Sequence, residues 1–399
     1  MQLNRAIPGS VLASFSLGLI SALSLAGCGG GNSSGSQMTG PTQSGFADNA
    51  LVANKVGVLA TATTIDANLS NPWGLVTAPG LPFWIADNNR NLATLYSGTG
   101  AIQTDTVTGS TDVGVAIPAS AAGIPANPTG QVYNGGGAFL IPTTAGQEPA
   151  LFIFDGEAGT LAAWAKDSGS AAITVYDDGV ENGENHAVYK GLALATVNGA
   201  TFLYATDLHN NKIDVFDADF NKPANMQGQF QDPTMPSGFV PFGIAALGDK
   251  LYVTYAKQDA AMHDEATGEG LGYVDVFDFT GNFVNRLASA GVLNAPWGLT
   301  LAPAGFGALQ GDLLVGNFGD GKINVFAPNG TATATSMGAL TVTNGGTFAA
   351  PGLWSLAFGN GDADKPATTL FYTAGFADQT DGAFGSISFS TAAAPPNPY

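Results

Sequence analysis

The chain of 399 residues carries 12 Lys and Arg against 31 Asp and Glu, a formal net charge of −19, with 45% hydrophobic and only 11% charged residues. A field of that sign repels phosphate backbones and so excludes nucleic acid as a partner, while the apolar content excludes wholesale disorder and suffices for a large core. The one cysteine, Cys28, leaves no internal disulfide, so packing alone must hold the fold.

The first element in chain order is an address. Arg5 precedes an apolar run from Val11 to Ala26, about 16 residues, short of the ~20 that a membrane-spanning helix needs. The run ends Leu25-Ala26-Gly27-Cys28, which resembles the bacterial lipobox, where the cysteine is lipidated and becomes the new N-terminus. Residues 1–27 are therefore expected to be a lipoprotein signal peptide, and 28–45 a lipidated cysteine followed by a flexible Gly/Ser tether. More than one acyl chain, palmitate among them, makes such an anchor stable. Gly29 in place of Asp after the cysteine points to the outer membrane or cell surface.

From residue 46 to 390 the sequence repeats itself. Six segments align: Asn71-Pro-Trp-Gly-Leu-Val, Asn127-Pro-Thr-Gly-Gln-Val, Val188-Tyr-Lys-Gly-Leu-Ala, Val240-Pro-Phe-Gly-Ile-Ala, Ala295-Pro-Trp-Gly-Leu-Thr and Gly352-Leu-Trp-Ser-Leu-Ala. Their anchors, Gly74, Gly130, Gly191, Gly243, Gly298 and Ser355, are separated by 56, 61, 52, 55 and 57 residues. Each anchor is followed by a run with period-two alternation, such as Phe83 to Asp87, Leu251 to Ala256 or Leu313 to Asn317. A second run follows that, such as Leu92 to Tyr96 or Tyr273 to Asp278. Helical periodicity is nearly absent.

Units of about 55 residues with three or four antiparallel strands predict an all-β fold, a six-bladed β-propeller around a central channel, in which radial closure removes exposed sheet edges. A spare β-like segment, Leu51 to Leu59, is expected to close the ring by pairing into the last blade. Residues 391–399 read as a C-terminal tail.

The segments NPWGL, FWIADNN, YKGLALA, YAKQDAAMHDE, GYVDVFD, APWGLTLAP and LFYTAG resemble a family of uncharacterised exported bacterial proteins distantly similar to NHL-type propellers. The resemblance spans about Asn49 to Phe389. It implies the propeller fold and export, and supplies no catalytic residues.

Chemistry is expected on the face that carries the loops before each first strand and between the second and third strands. All three histidines map there. His263 and Asp264 lie in the long fourth loop, His209 and Asp207 in the neighbouring one, and His186 ahead of that blade's first strand. Imidazole with carboxylate suits a divalent metal, so His186, Asp207, His209, His263 and Asp264 form a candidate ligand set; solvated loop residues are the plainer reading. Trp73, Lys190, Phe242, Trp297 and Trp354 precede the anchors. They either ring the channel mouth as a binding face for a sugar or peptide or pack as core. Asn360 to Asp364 resembles half of a calcium loop but lacks its closing Glu, and reads as a turn.

The expected function is a membrane-anchored, extracytoplasmic binding or scaffold module of the cell envelope, with a protein, peptide or glycan ligand. The alternative is a metal-dependent hydrolase or lyase; a redox role at the channel mouth has only architecture behind it.

Overall fold

The computed structural model describes residues 45–59, 61–104, 114–178, 186–330, 332–343 and 346–390. The expected signal peptide, Cys28, nearly all of the tether and the C-terminal tail lie outside these residues.

Six antiparallel sheets follow one another along the chain, each with its first strand innermost. Those inner strands are Pro72–Val76, Pro128–Tyr133, Tyr189–Val197, Phe239–Leu247, Pro296–Leu301 and Leu353–Phe358, heading blades 1 to 6. Each inner strand touches those of the blades before and after it, and the sixth touches the first, so the sheets close into a propeller. A four-residue helix, Phe376–Gln379, is the only α-helix among the described residues.

The anchors sit where neighbouring inner strands come closest. A Cβ added to Gly243 would lie 2.1 Å from the Trp297 carbonyl oxygen, and one on Gly298 would lie 2.4 Å from that of Trp354. Only glycine allows that approach. Ser355, in the sixth place, is tied to blade 1 through Thr373, whose hydroxyl accepts from the Ser355 N–H and donates to the Trp73 carbonyl at 2.7 Å.

Between blades the alternating side chains interdigitate. Trp84 of blade 1 stacks on Phe152 of blade 2 at 4.0 Å, and Leu192, Leu203 and Phe216 of blade 3 pack with Ile153 and Leu161 of blade 2. Each such fully buried aliphatic or aromatic side chain contributes about 1.5–3 kcal/mol.

One detail departs from the sequence-based expectation. The closing strand is Gly45–Ala53, not Leu51 to Leu59. It pairs antiparallel with Ala383–Ser390 from Gly45↔Ser390 to Ala53↔Ala383. Phe46 packs on Phe306 and Phe389, and beyond Asn54 the chain turns away at Gly57, whose φ is 95°. Blade 3 has three strands, because Pro223, Pro233 and Pro236 withhold ladder donors from the stretch 217–238. That stretch instead buries Met226 and Phe230 between blades 3 and 4.

The direction of the closing strand defines two faces. Ala53, Leu353 and Ala374 lie at the end that carries the loops before the inner strands, the loop face. Gly45, Ser388 and Phe358 lie at the other, where half-buried Val76, Tyr133, Leu247 and Phe358 line the channel opening, the mouth face.

Candidate functional site

Four blades build the loop face with the same five-residue turn between second and third strands. Asp87, Asp155, Asp207 and Asn317 open it, and Asn91, Gly159, Asn211 and Gly321, all with φ near 50–70°, close it. The opening side chains turn inward and are spent on structure. Asp155 accepts from the Thr129 hydroxyl at 2.9 Å and the Gly130 N–H at 2.6 Å, and burial pushes its carboxyl up to about 7. Of the next two positions, Leu208 of blade 3 and Phe318 of blade 5 pack on the axial aromatic cluster, Asn88 of blade 1 and Glu157 of blade 2 bond to each other, and Asn89 and His209 contact neighbouring loops.

Below these turns the residues preceding the anchors meet on the axis. Trp73 stacks on Trp354 at 3.4 Å, Trp297 stands edge-on to both at 5.8 and 5.9 Å, and Phe242 packs beside them. The Trp297 indole donates to the Lys190 carbonyl and that of Trp354 to the Asn71 side chain. Trp73, Lys190, Phe242, Trp297 and Trp354 are all between 0 and 8% exposed. Burial this deep favours the core reading over the binding-face one, with Trp297 alone of the five also lining the channel. They form a plug that closes the channel, and the indoles pack on one another across the axis because three of the six positions carry them.

On this plug lies a charged cluster. The fully buried Lys190 ammonium, 5.3 Å from the Trp73 ring centre, bonds to the Glu157 carboxylate and to Asp264 Oδ1 at 3.0 Å. Burial alone would lower the Lys190 pKa. Glu157, Glu265 and Asp264 outweigh it and hold the group above its ordinary value. Glu265, on the short strand Glu265–Ala266, has its Oε2 buried without a hydrogen-bond partner, and desolvation pushes it up to about 7 against the pull of Lys190. Asp264 is held low by the hydrogen bond from His263, and that bond raises His263 in turn. Around the cluster runs a chain of carboxamides: Asn71 Nδ2 donates to Gln379 Oε1 and to Asn88 Oδ1, and Asn88 Nδ2 donates to Glu157 at 3.2 Å.

The five residues of the candidate ligand set are not brought together. The His186 and His209 rings lie against each other at 4.6 Å, tilted by 33°. Asp207 points into blade 3, accepting from the Val188 N–H and the Asn210 amide and facing Lys212. Only His263 and Asp264 converge, and their third neighbour is Glu157; one ligand atom from each lies within 4.8 Å of the others. The sequence places Glu265 in the same loop as His263 and Glu157 at the turn position of His209, but neither stands in the candidate ligand set. The expected turn at Asn360 to Asp364 is present: Asp362 and Asp364 accept from the Gly80 and Gly98 N–H groups of blade 1 and are neutralised by Lys365.

Comparison with known proteins places the chain. Two uncharacterised proteins of Acanthamoeba polyphaga mimivirus are each 32% identical to it over 343 residues, 85% of this chain and 84% and 79% of theirs. The chain belongs to their family. A third mimivirus protein of the family, also uncharacterised, is 37% identical over 154 residues, 38% of this chain and 28% of its own length. The family's curated relatives are thus viral, where the sequence motifs pointed to exported bacterial proteins. No family profile matches the chain. Among solved structures, virginiamycin B lyase from Staphylococcus aureus has a TM-score of 0.47 at 13% identity, covering 87% of this chain and 99% of that one. The soluble aldose sugar dehydrogenase of Escherichia coli scores 0.48 at 12% identity, covering 86% and 99%.

Proposed function

We propose that this protein is a lipid-anchored, extracytoplasmic binding module of the cell envelope that presents its loop face to a peptide or glycan. The observation that carries the reading is the course of strand Gly45–Ala53, which enters the propeller on the mouth face. Gly45 stands 17 residues from Cys28, and this reading takes the opposite, loop face as the one offered to a ligand. That face is rich in hydrogen-bonding groups, Asn89, His209, His263, Asp264 and Gln379, while its aromatic side chains are buried beneath. A polar, extended ligand suits such a rim better than an apolar one.

A metal-dependent hydrolase or lyase is the second reading, favoured by the convergence of Glu157, His263 and Asp264. Against it stands Lys190. Its ammonium already bonds to both carboxylates of that trio, and a divalent ion beside it would be repelled.

The anchor is tested by fractionating bacteria that express the full chain. Wild type is expected in the membrane fraction and Cys28→Ser in the soluble fraction; equal partitioning of the two would refute the anchor. In the same preparations, one divalent metal per wild-type chain, lost in His263→Ala, would favour the second reading instead.

A further inference from the structure

The central channel has a use of its own. Each inner strand pairs on one side only, so six free strand edges face the axis. From the anchors to two to four residues beyond, they enclose about 400 Å³, closed by the aromatic plug at one end and reached from the mouth face at the other.

Two features of the wall select what can enter. No lining residue is Asp, Glu, Lys, Arg or His, in a chain whose net charge is −19. Leu75, Leu192, Leu299 and Leu356 turn their side chains into the cores between blades, which leaves backbone N–H and C=O groups as much of the surface. Gln131 shows how those groups seek partners. Its Nε2 donates to the Gly74 carbonyl at 2.8 Å, and its buried Oε1 has none among the described residues.

A charged molecule would leave water here with no counter-charge to meet it. A hydrocarbon would strip water from strand-edge donors and acceptors and give nothing back. A compact molecule with several hydroxyls and no charge meets both conditions, and the volume lies in the lower part of the ~300–1,000 Å³ range of small-molecule sites. We propose that the channel binds one uncharged polyol of monosaccharide size, entering from the mouth face. This site is separate from the loop-face rim and does not depend on it.

The purified full chain is titrated with D-glucose and xylitol, and with the charged analogues D-glucuronate and D-glucosamine, by calorimetry and saturation-transfer NMR. At least one neutral probe should bind saturably with one site per chain, and the charged analogues at least tenfold more weakly. Ala245→Phe, or more mildly Ala357→Leu, at half-buried wall positions that also pack against the cores between blades, should narrow the lumen and abolish binding in whichever variant keeps the wild-type circular dichroism. Met337→Gln, on an exposed outer strand, should bind as wild type. Lack of saturation by both neutral probes, or equal affinity for the charged ones, overturns the proposal. So does binding that survives the filling variants but is lost in Asp264→Asn, which would put the sugar on the loop face.

Discussion

Replacing Lys190 by Met should lower the unfolding free energy by about 3–5 kcal/mol, because it leaves the carboxylates of Glu157 and Glu265 in a dry site without their cation. Urea titrations read this as a reduced midpoint at unchanged slope. The loss should depend on pH in a defined direction. Burial holds the Glu265 carboxyl at about 7, above its value in the unfolded chain, so its contribution to stability is full at acid pH and disappears as pH rises through 7. Removing the nearby ammonium pushes that carboxyl higher still. The gap between Lys190→Met and wild type should therefore be widest near pH 8 and shrink toward pH 5. The triple variant with Glu157→Gln and Glu265→Gln should recover much of the stability, since the harm comes from unpaired charge and not from lost volume. A gap independent of pH, with no recovery in the triple variant, would show that the cluster is held by packing alone.

Gly243→Ala should be the most damaging single-methyl change among the five anchor glycines. Its Cβ would fall 2.1 Å from the Trp297 carbonyl oxygen and 2.9 Å from the Thr254 hydroxyl, and neither is the free end of a flexible side chain. The neighbouring inner strand would have to retreat, in a ring whose other five contacts resist widening. Overpacking of this kind costs about 1–3 kcal/mol, and the upper part of that range is expected here. Gly137→Ala, where nothing lies within 4 Å of an added Cβ, should change stability by less than about 0.5 kcal/mol. Equal midpoints for the two variants would contradict the close approach of blades 4 and 5.

Much of the fold was legible because each blade announces itself with the same short sequence at the one place where strands must touch. Strands such as Phe83–Asp87, Leu92–Tyr96 and Leu313–Asn317 fall where alternation predicts them. The closing strand was misplaced because Gly45 to Asn49 lacks the β-branched residues of a strand, and its one apolar side chain, Phe46, owes its burial to partners far away in sequence. The site was less legible still. Histidines draw notice by residue type, yet which loop positions converge is set by blade geometry, and that geometry brought Glu157 and Lys190 to His263 and Asp264 while turning Asp207 away. The tryptophans before the anchors were visible as a pattern. Whether they faced a ligand or one another depended on the width of the channel, which no local sequence encodes.

The claim on which the functional account turns is that the loop face looks away from the anchor. On the proposed reading 17 residues separate Cys28 from Gly45, where the described chain enters the propeller on the mouth face, and that face is the one expected nearer the lipid. Fluorophores placed at Asp249→Cys, on the mouth face, and at Arg90→Cys, on the loop face, in vesicle-bound lipoprotein with nitroxide-labelled lipids measure this directly. The account predicts clearly stronger quenching at position 249 than at 90; equal quenching, or the reverse order, would contradict it.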